Sequence, residues 1–302
     1  MKGKVCLIIG ASSGIGKANS IELAKLGATV AIVCRTEEKC EKTAKEIVEK
    51  TKNENIIPFV ADLLSQKQIR NLAEEVNSKL NRLDVLINNA GSYFPKCTLT
   101  EDGIESAFAL NYLAPFLLTN LLLNKLIESR PSRIINVSSY GHFSAKTIDF
   151  DSVFCKGKYK GYKAYAQSKL ALTIFTYELS RKLKDKGVTV NCMHPGAVRT
   201  SLWSKTGAIK PLAILASFFM RSPEKGAETI VYLASSEDVA NITGKYFFDK
   251  REEKSSAVSY DVELAKHLWE FSERLANTKY VIWWRTYEKT SQSCNDTVKI
   301  SD

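Results

Sequence analysis

The amino-acid sequence predicts an α/β fold: a doubly wound, mostly parallel seven-stranded sheet with helices on both faces. Three observations predict it. Short apolar runs alternate with helical patterns along most of the chain. The runs do not alternate polar with apolar residues, so the strands they form are buried on both sides, as in a parallel sheet. The first run passes into the first helical pattern through a glycine-rich turn, Gly10-Ala11-Ser12-Ser13-Gly14-Ile15-Gly16.

Lys4 to Ile9 is the first strand. After the glycine turn a helix runs to about Leu26, with Ile15, Ala18, Leu23 and Leu26 near one face, and Gly27 closes it as a C-terminal cap. Ala28 to Cys34 is the second strand, followed by a charged helix to about Lys50. Ile56 to Val60 and Leu83 to Asn88 are further buried strands, separated by a helix from Ser65 to Leu80. A long helical pattern ends near Arg130, and Ile134 to Ser138 is the fifth strand. The helix that contains Tyr165 leads to Val188 to Met193, and Tyr246 to Phe248 is the last strand. No repeat or proline-rich linker interrupts this order, so residues 1–284 read as one domain, with a polar, frayed tail over 285–302.

The chain has 302 residues, 44% hydrophobic and 25% charged, an ordinary globular composition. Its formal net charge is +10, but Lys and Arg are scattered, with no basic stripe carrying interleaved aromatics. That excludes nucleic acid as the expected partner and suits an anionic cofactor. The seven cysteines are dispersed without a Cys-x-x-Cys pair, which argues against a disulfide framework and fits a reducing compartment. The three histidines have no metal-ligand spacing, so no metal site is expected. An apolar strand begins by Val5 with no signal-peptide layout, and no uncharged run approaches the ~18 residues of a spanning helix. The expected location is cytoplasmic, with surface contact to a membrane left open.

A glycine turn between the first strand and helix lets the backbone approach a pyrophosphate, which the helix N-terminus then receives. This makes the predicted sheet Rossmann-type. At the end of the second strand, selectivity for NAD calls for a carboxylate on the ribose 2′-OH, and a 2′-phosphate calls for a cation. The chain has Val33-Cys34-Arg35-Thr36 there, with Lys17 just past the glycine turn, which points to NADP(H). Further on, Tyr165-Ala166-Gln167-Ser168-Lys169 puts a phenol and an ammonium on one helix face. A nearby cation favours a phenolate, so Lys169 is expected to lower the Tyr165 pKa and fit it for acid–base work.

With these motifs the sequence resembles a short-chain dehydrogenase/reductase from Lys2 to about Leu275. Asp62-Leu63 follows the third strand, Asn88-Asn89-Ala90-Gly91 closes the fourth, Ser138-Ser139 end the fifth, and Pro195-Gly196 follow the sixth. The resemblance implies a catalytic set of Asn111, Ser139, Tyr165 and Lys169. Tyr165 would be the acid/base, Lys169 its pKa partner, Ser139 the holder of the substrate oxygen, and Asn111 the support of a proton relay. It implies cofactor contacts from Gly10, Ser12, Ser13, Gly14, Ile15, Gly16, Arg35, Asp62, Leu63, Asn89, Ala90, Gly91, Tyr165, Lys169, Pro195, Gly196 and Val198. Ser138 is read as bonded to the backbone, and His142 and His194 as packing residues. One departure is Ile9, where the family usually has a Thr bracing the turn. Another is a longer stretch between Ser139 and Tyr165, which, with Cys34-Arg35 and Gly244-Lys245-Tyr246-Phe247, is similar to the retinol-dehydrogenase-like branch.

The segment after the sixth strand, about 200–221, reads as an apolar flap containing Leu202, Trp203, Phe218 and Phe219. With Tyr93 and Phe94 it suggests a bulky lipophilic aldehyde, ketone or alcohol. The same residues would equally serve to pack on the body of the protein or on a second subunit. Tyr280-Val281-Ile282-Trp283-Trp284 could cover the pocket mouth, seal a homo-oligomer or graze lipid. The expected function is therefore an NADP(H)-dependent oxidoreductase of a carbonyl/alcohol pair. The competing class is an NADP-binding scaffold or sensor with little turnover, against which the four-residue catalytic set argues.

Overall fold

The computed structural model describes residues 1–198 and 221–278. In chain order the elements are β1 (Val5–Ile9), α1 (Gly14–Lys25), β2 (Thr29–Cys34), α2 (Glu37–Thr51), β3 (Ile56–Val60), α3 (Gln66–Lys79) and β4 (Val85–Asn88). There follow α4 (Ser106–Glu128), β5 (Ser132–Val137), α5 (Gly161–Lys182), β6 (Val188–Met193), α6 (Pro223–Ser235), β7 (Tyr246–Phe248), β8 (Arg251–Glu253) and α7 (Val262–Leu275). The strands form one sheet in the order β3-β2-β1-β4-β5-β6-β7-β8. All pairings are parallel except that of β7 with β8.

Successive strand residues point to opposite faces, and here both faces are covered. Leu7 and Ile9 join Phe116, Phe175 and Trp269 in the core under α3, α4, α5 and α7. Cys6 and Ile8 join Leu23, Ile32 and Ile230 in the core under α1, α2 and α6. The winding reverses at β1, which pairs with β2 on one side and β4 on the other. A crevice therefore opens beyond the carboxyl ends of β1 and β4, where ligands of such sheets bind.

Several details differ from the sequence reading. The sheet has eight strands instead of seven: Asp249 and Lys250, at φ 46° and 63°, form a two-residue hairpin loop that turns the chain into β8. Three charged residues, Arg251-Glu252-Glu253, carry no apolar strand signal, and as an exposed edge they discourage further pairing. Leu26 is 44% exposed because α1 stops at Lys25. The chain then reverses at Gly27, where φ is +81°. Helix α4 is interrupted by a π-helical turn, Ala109–Leu113. Among the described residues α4 alone is long and apolar enough to cross a membrane, and 83% of its most apolar stretch is buried in the protein.

The expectation of unpaired cysteines fails at one pair. Cys97, in the loop after β4, and Cys155, in the long stretch before α5, form a disulfide with Cα atoms 6.1 Å apart. They are 58 residues apart in sequence, and only the packing of that stretch against the β4 loop brings them together. The same packing is marked by Tyr159, whose single hydroxyl proton is shared between the Phe94 carbonyl at 2.9 Å and the buried Glu105 carboxylate at 3.0 Å. Most of the apolar flap, the Tyr280–Trp284 cluster and the polar tail lie outside the described residues.

Candidate active site

The glycine turn follows β1 directly. Gly10 and Gly14 have φ of +79° and +53°, a region closed to most side chains. A Cβ on Gly16 would lie 2.2 Å from the Gly10 carbonyl oxygen, so the turn closes only with glycine there. Asn89, at the end of β4, donates from Nδ2 to the carbonyls of Ile9 and Gly10 at 3.1 and 3.2 Å. That brace holds the turn without any side-chain hydrogen bond from Ile9. Ser13 caps α1 without a side-chain hydrogen bond, and the first turn carries no acid. The N–H groups and positive dipole end thus remain available to an anion. Backbone cradle, bare helix end and adjacent cations together fit a dinucleotide phosphate group.

The turn forms one wall of a cavity of about 480 Å³, which Ser12, Ser13, Gly14 and Ile15 also line. At the end of β2, exposed Arg35 lines it together with Lys39, from the first turn of α2. Lys17 does not: its ammonium pairs with Glu46 at 2.8 Å, which corrects its expected place beside Arg35. Lys39 is the second cation instead, and in sequence it is hidden within a charged helical run. Asp62 and Leu63 line the cavity after β3, with the Asp62 carboxylate accepting from the Leu64 N–H at 3.0 Å. Asn89, Ala90, Gly91 and Pro195 complete that side. Gly196 and Val198 stand back from it. Val198 is buried, pairs with Arg221 in an isolated bridge and packs toward Gly226, and Gly196 approaches the Arg221 side chain.

Helix α5 brings Tyr165 and Lys169 to the same cavity, one turn apart. Lys169 is 4% exposed and donates from Nζ to the Val137 carbonyl at 2.8 Å. Burial pushes its pKa down to about 8. Burial likewise pushes the Tyr165 phenol above its ordinary value, and hydrogen bonding from the Ser139 hydroxyl opposes the rise. The expectation that Lys169 lowers the Tyr165 pKa is therefore not met in this state: desolvation outweighs any cation effect, and the phenol is held protonated.

Ser139 and Ser138 part ways at the end of β5. The Ser138 hydroxyl is buried, within 2.9 Å of Thr173 Oγ1, and donates to the Lys169 carbonyl at 3.1 Å. Ser139 Oγ accepts from the Gly141 N–H at 3.1 Å and sits beside the Tyr165 ring, as a Cβ on Gly141 would be 3.4 Å from one and 3.2 Å from the other. Asn111 lies in the π turn of α4, fully buried behind the cavity. Its Oδ1 accepts from the Ser92 N–H at 2.8 Å, and its Nδ2 donates to the Ser92 carbonyl and Ser168 Oγ at 2.9 and 3.0 Å. A Cβ on Gly91 would stand 3.1 Å from Lys169 Nζ and 3.3 Å from Asn111 Oδ1. Glycine there is what lets both side chains approach the β4 loop.

The two histidines are structural here. His142 Nδ1 lies 2.7 Å from the Ser139 carbonyl, and its Nε2 accepts from the Ser256 N–H at 3.1 Å. With Nε2 an acceptor, Nδ1 carries the proton, and burial lowers the His142 pKa. His194 stacks on Phe248 and bonds the Tyr246 hydroxyl at 2.8 Å, with a pKa pushed down to about 4, chiefly by burial.

This arrangement matches known proteins closely. Residues 4–210 match the model of the short chain dehydrogenase family. The chain is 43% identical to human retinol dehydrogenase 13 over 280 residues, covering 90% of this chain and 84% of that one. It is 40% identical to human retinol dehydrogenase 14 over 294 residues, covering 90% and 86%. A solved short chain dehydrogenase from Shigella flexneri, complexed with NADP, has a TM-score of 0.65 at 26% identity over 82% of this chain and 97% of that one. The chain belongs to the short-chain dehydrogenase/reductase family, and it is an oxidoreductase of alcohol and carbonyl groups that uses an NAD(P)-type cofactor. Within the family it falls in the retinol-dehydrogenase-like branch.

Proposed function

We propose that the protein interconverts a lipophilic aldehyde or ketone and its alcohol with NADP(H), using Tyr165 and Lys169 as the acid–base pair. The observation that carries this reading is the meeting of the Tyr165 phenol and the Lys169 ammonium at the cavity walled by the glycine turn, with the Ser139 hydroxyl beside the phenol.

The glycine turn and the N-terminus of α1 would hold the pyrophosphate, with Asp62 and Leu63 at the adenine. Asn89, Ala90, Gly91 and Pro195 would form the nicotinamide side. Arg35 and Lys39 would receive a 2′-phosphate, and among the described residues that line the cavity no acid follows β2 to compete for a ribose hydroxyl. When bound, the nicotinamide supplies or accepts the hydride.

The chain's own residues handle the oxygen. The Ser139 hydroxyl orients the substrate oxygen, and Tyr165 gives it a proton as negative charge develops during reduction. Its raised pKa keeps the phenol protonated at neutral pH for that donation. Lys169, charged below about pH 8, stabilises the phenolate left behind. Asn111 fixes the Ser92 backbone and the Ser168 hydroxyl behind the pair. Phe94 on the cavity wall, Tyr93 edge-on to Tyr165 at 6.4 Å, and exposed Tyr140 and Phe143 offer apolar surface to a bulky substrate.

The test is a panel of retinoid, steroid, fatty and small aromatic carbonyls assayed with NADPH and NADH. Tyr165→Phe should cut turnover about 10²-fold or more, and Ser139→Ala should lose activity that Ser138→Ala largely keeps. Arg35→Asp should raise KM for NADPH far more than for NADH. Turnover untouched by Tyr165→Phe rejects the mechanism, and equal cofactor effects in Arg35→Asp reject the NADP(H) preference. A chain that binds NADPH yet turns over none of the panel is a scaffold instead.

A further inference from the structure

A second cavity, of about 130 Å³, lies between the stretch before α5 and the opening of that helix, bounded by Asp149, Cys155, Lys156, Lys158, Lys160 and Gln167. It is smaller than the ~300 Å³ at which organic-ligand pockets begin, so its occupant is small. Its chemistry is cationic. Four lysines line it, namely Lys156, Lys158, Lys160 and Lys163. Asp149, the one carboxylate in the lining, is occupied by Lys163 at 2.8 Å. Asp151, outside the lining, reaches Lys156 only at 3.6 Å. The Tyr159 hydroxyl is already spent on the Phe94 carbonyl and Glu105.

Two further features point to an anion. Helix α5 is 22 residues long, yet its N-cap is Lys160, with no side-chain cap and no acid in the first turn. Its first intrahelical bond is Ala164 N–H to the Lys160 carbonyl, so the donors before it have no acceptor within the helix. The positive dipole end thus meets lysines where an acid would normally sit. Independently, Gln167 is 5% exposed and lines the cavity, and its Nε2 has no hydrogen-bond partner among the described residues. The orientation of that amide is fixed, because Oε1 accepts the Asp149 N–H at 2.7 Å. A buried amide donor left unpaired is destabilising, and an acceptor in the cavity would remove that cost.

We propose that this cavity is a binding site for a small phosphoryl oxyanion, either free phosphate or the terminal phosphate of a monoester. Gln167 Nε2 donates from the buried end, Lys158 and Lys160 close on it from the rim, and the α5 N-terminus supplies its dipole. The site is separate from the dinucleotide cavity. It rests on the opening of the same helix that carries Tyr165 and Lys169.

The experiment is calorimetric titration of inorganic phosphate into the full chain, with sodium chloride at matched ionic strength as reference. Wild type should show saturable binding that chloride does not. Gln167→Glu keeps the acceptor for Asp149 and replaces the donor with a charge. It should weaken binding at least about tenfold. Lys160→Gln, at an exposed position where folding is not at stake, should weaken it severalfold. Arg35→Asp should leave this binding intact, because Arg35 lies at the other cavity. Vesicles of phosphatidylcholine with phosphatidic acid distinguish the source. Sedimentation with them, displaced by phosphate, assigns the ligand to a lipid headgroup, and failure to sediment assigns it to a soluble phosphate. The proposal is overturned if phosphate heats match those of chloride, which leaves the Gln167 amide to a water molecule. It is also overturned if Gln167→Glu and Lys160→Gln bind like wild type, or if the response is lost in Arg35→Asp.

Discussion

Lys169 keeps an ammonium at 4% exposure, with the Val137 carbonyl as its acceptor, and its pKa falls to about 8 from an ordinary value of 10.5. Between those two values the unfolded chain binds the proton that the folded chain has released. Stability therefore rises with pH across that window, and below about pH 8 burial of the charge is a standing cost of about 3 kcal/mol. Lys169→Met should abolish turnover and flatten this slope. Urea unfolding at pH 7 and at pH 10 should show wild type gaining about 2.5 kcal/mol on the variant. Parallel pH dependence in the two proteins would show that the buried charge is not the cause. The pair could be read in the sequence because a four-residue helical spacing is local information. The balance of forces on Tyr165 could not, since desolvation depends on what the rest of the chain packs over it. Arg35 and Lys39 divide the same way: one ends a strand in plain view, and the other needed the fold to separate it from Lys17.

At the scale of elements, the apolar runs located seven strands because burial on both faces writes itself directly into composition. The charged eighth strand and the π turn in α4 leave no such mark. The turn places Asn111, and only the backbone it binds at Ser92 explains its position. The entry to the sheet depends on Asp84, 2% exposed just before β4. It accepts from Lys4 Nζ and the Val5 N–H, both at 2.9 Å, and from Arg82, and so ties β1 to β4. Desolvation pulls its pKa up, but the bonds from Arg82, Val5 and Lys4 win and hold it below the usual carboxylate range. Its stabilising effect is therefore full above the ordinary carboxylate pKa, ~4, and is lost as pH falls through the lowered folded value. Asp84→Asn should cost about 3 kcal/mol at pH 7, read from denaturant midpoints. It should also remove part of the acid-induced destabilisation seen in wild type. An unchanged midpoint at pH 7 would reduce the cluster to a surface ornament.

For the whole molecule, the reversal at β1 sets the position of the dinucleotide cavity, and the stretch before α5 packs against the loop after β4, whose Asn89, Ala90, Gly91, Ser92 and Phe94 line that cavity. That packing is fastened covalently. A bond closing a loop of this length restricts the unfolded chain by about 4 kcal/mol in the chain-entropy account. Cys97→Ser should therefore lower the melting temperature of oxidised protein, and a reductant should do the same to wild type while leaving the variant unmoved. A reductant that shifts both equally would show that the effect does not come from the Cys97–Cys155 bond.

The bond has a meaning beyond stability. Glutathione-buffered cytosol keeps such pairs reduced, and oxidising lumens let them persist. A thiol reagent added at the moment of cell lysis would label Cys97 and Cys155 in chains that matured in the first setting and miss them in the second. The pair is thus a chemical record, kept within the chain, of the redox surroundings in which it folded.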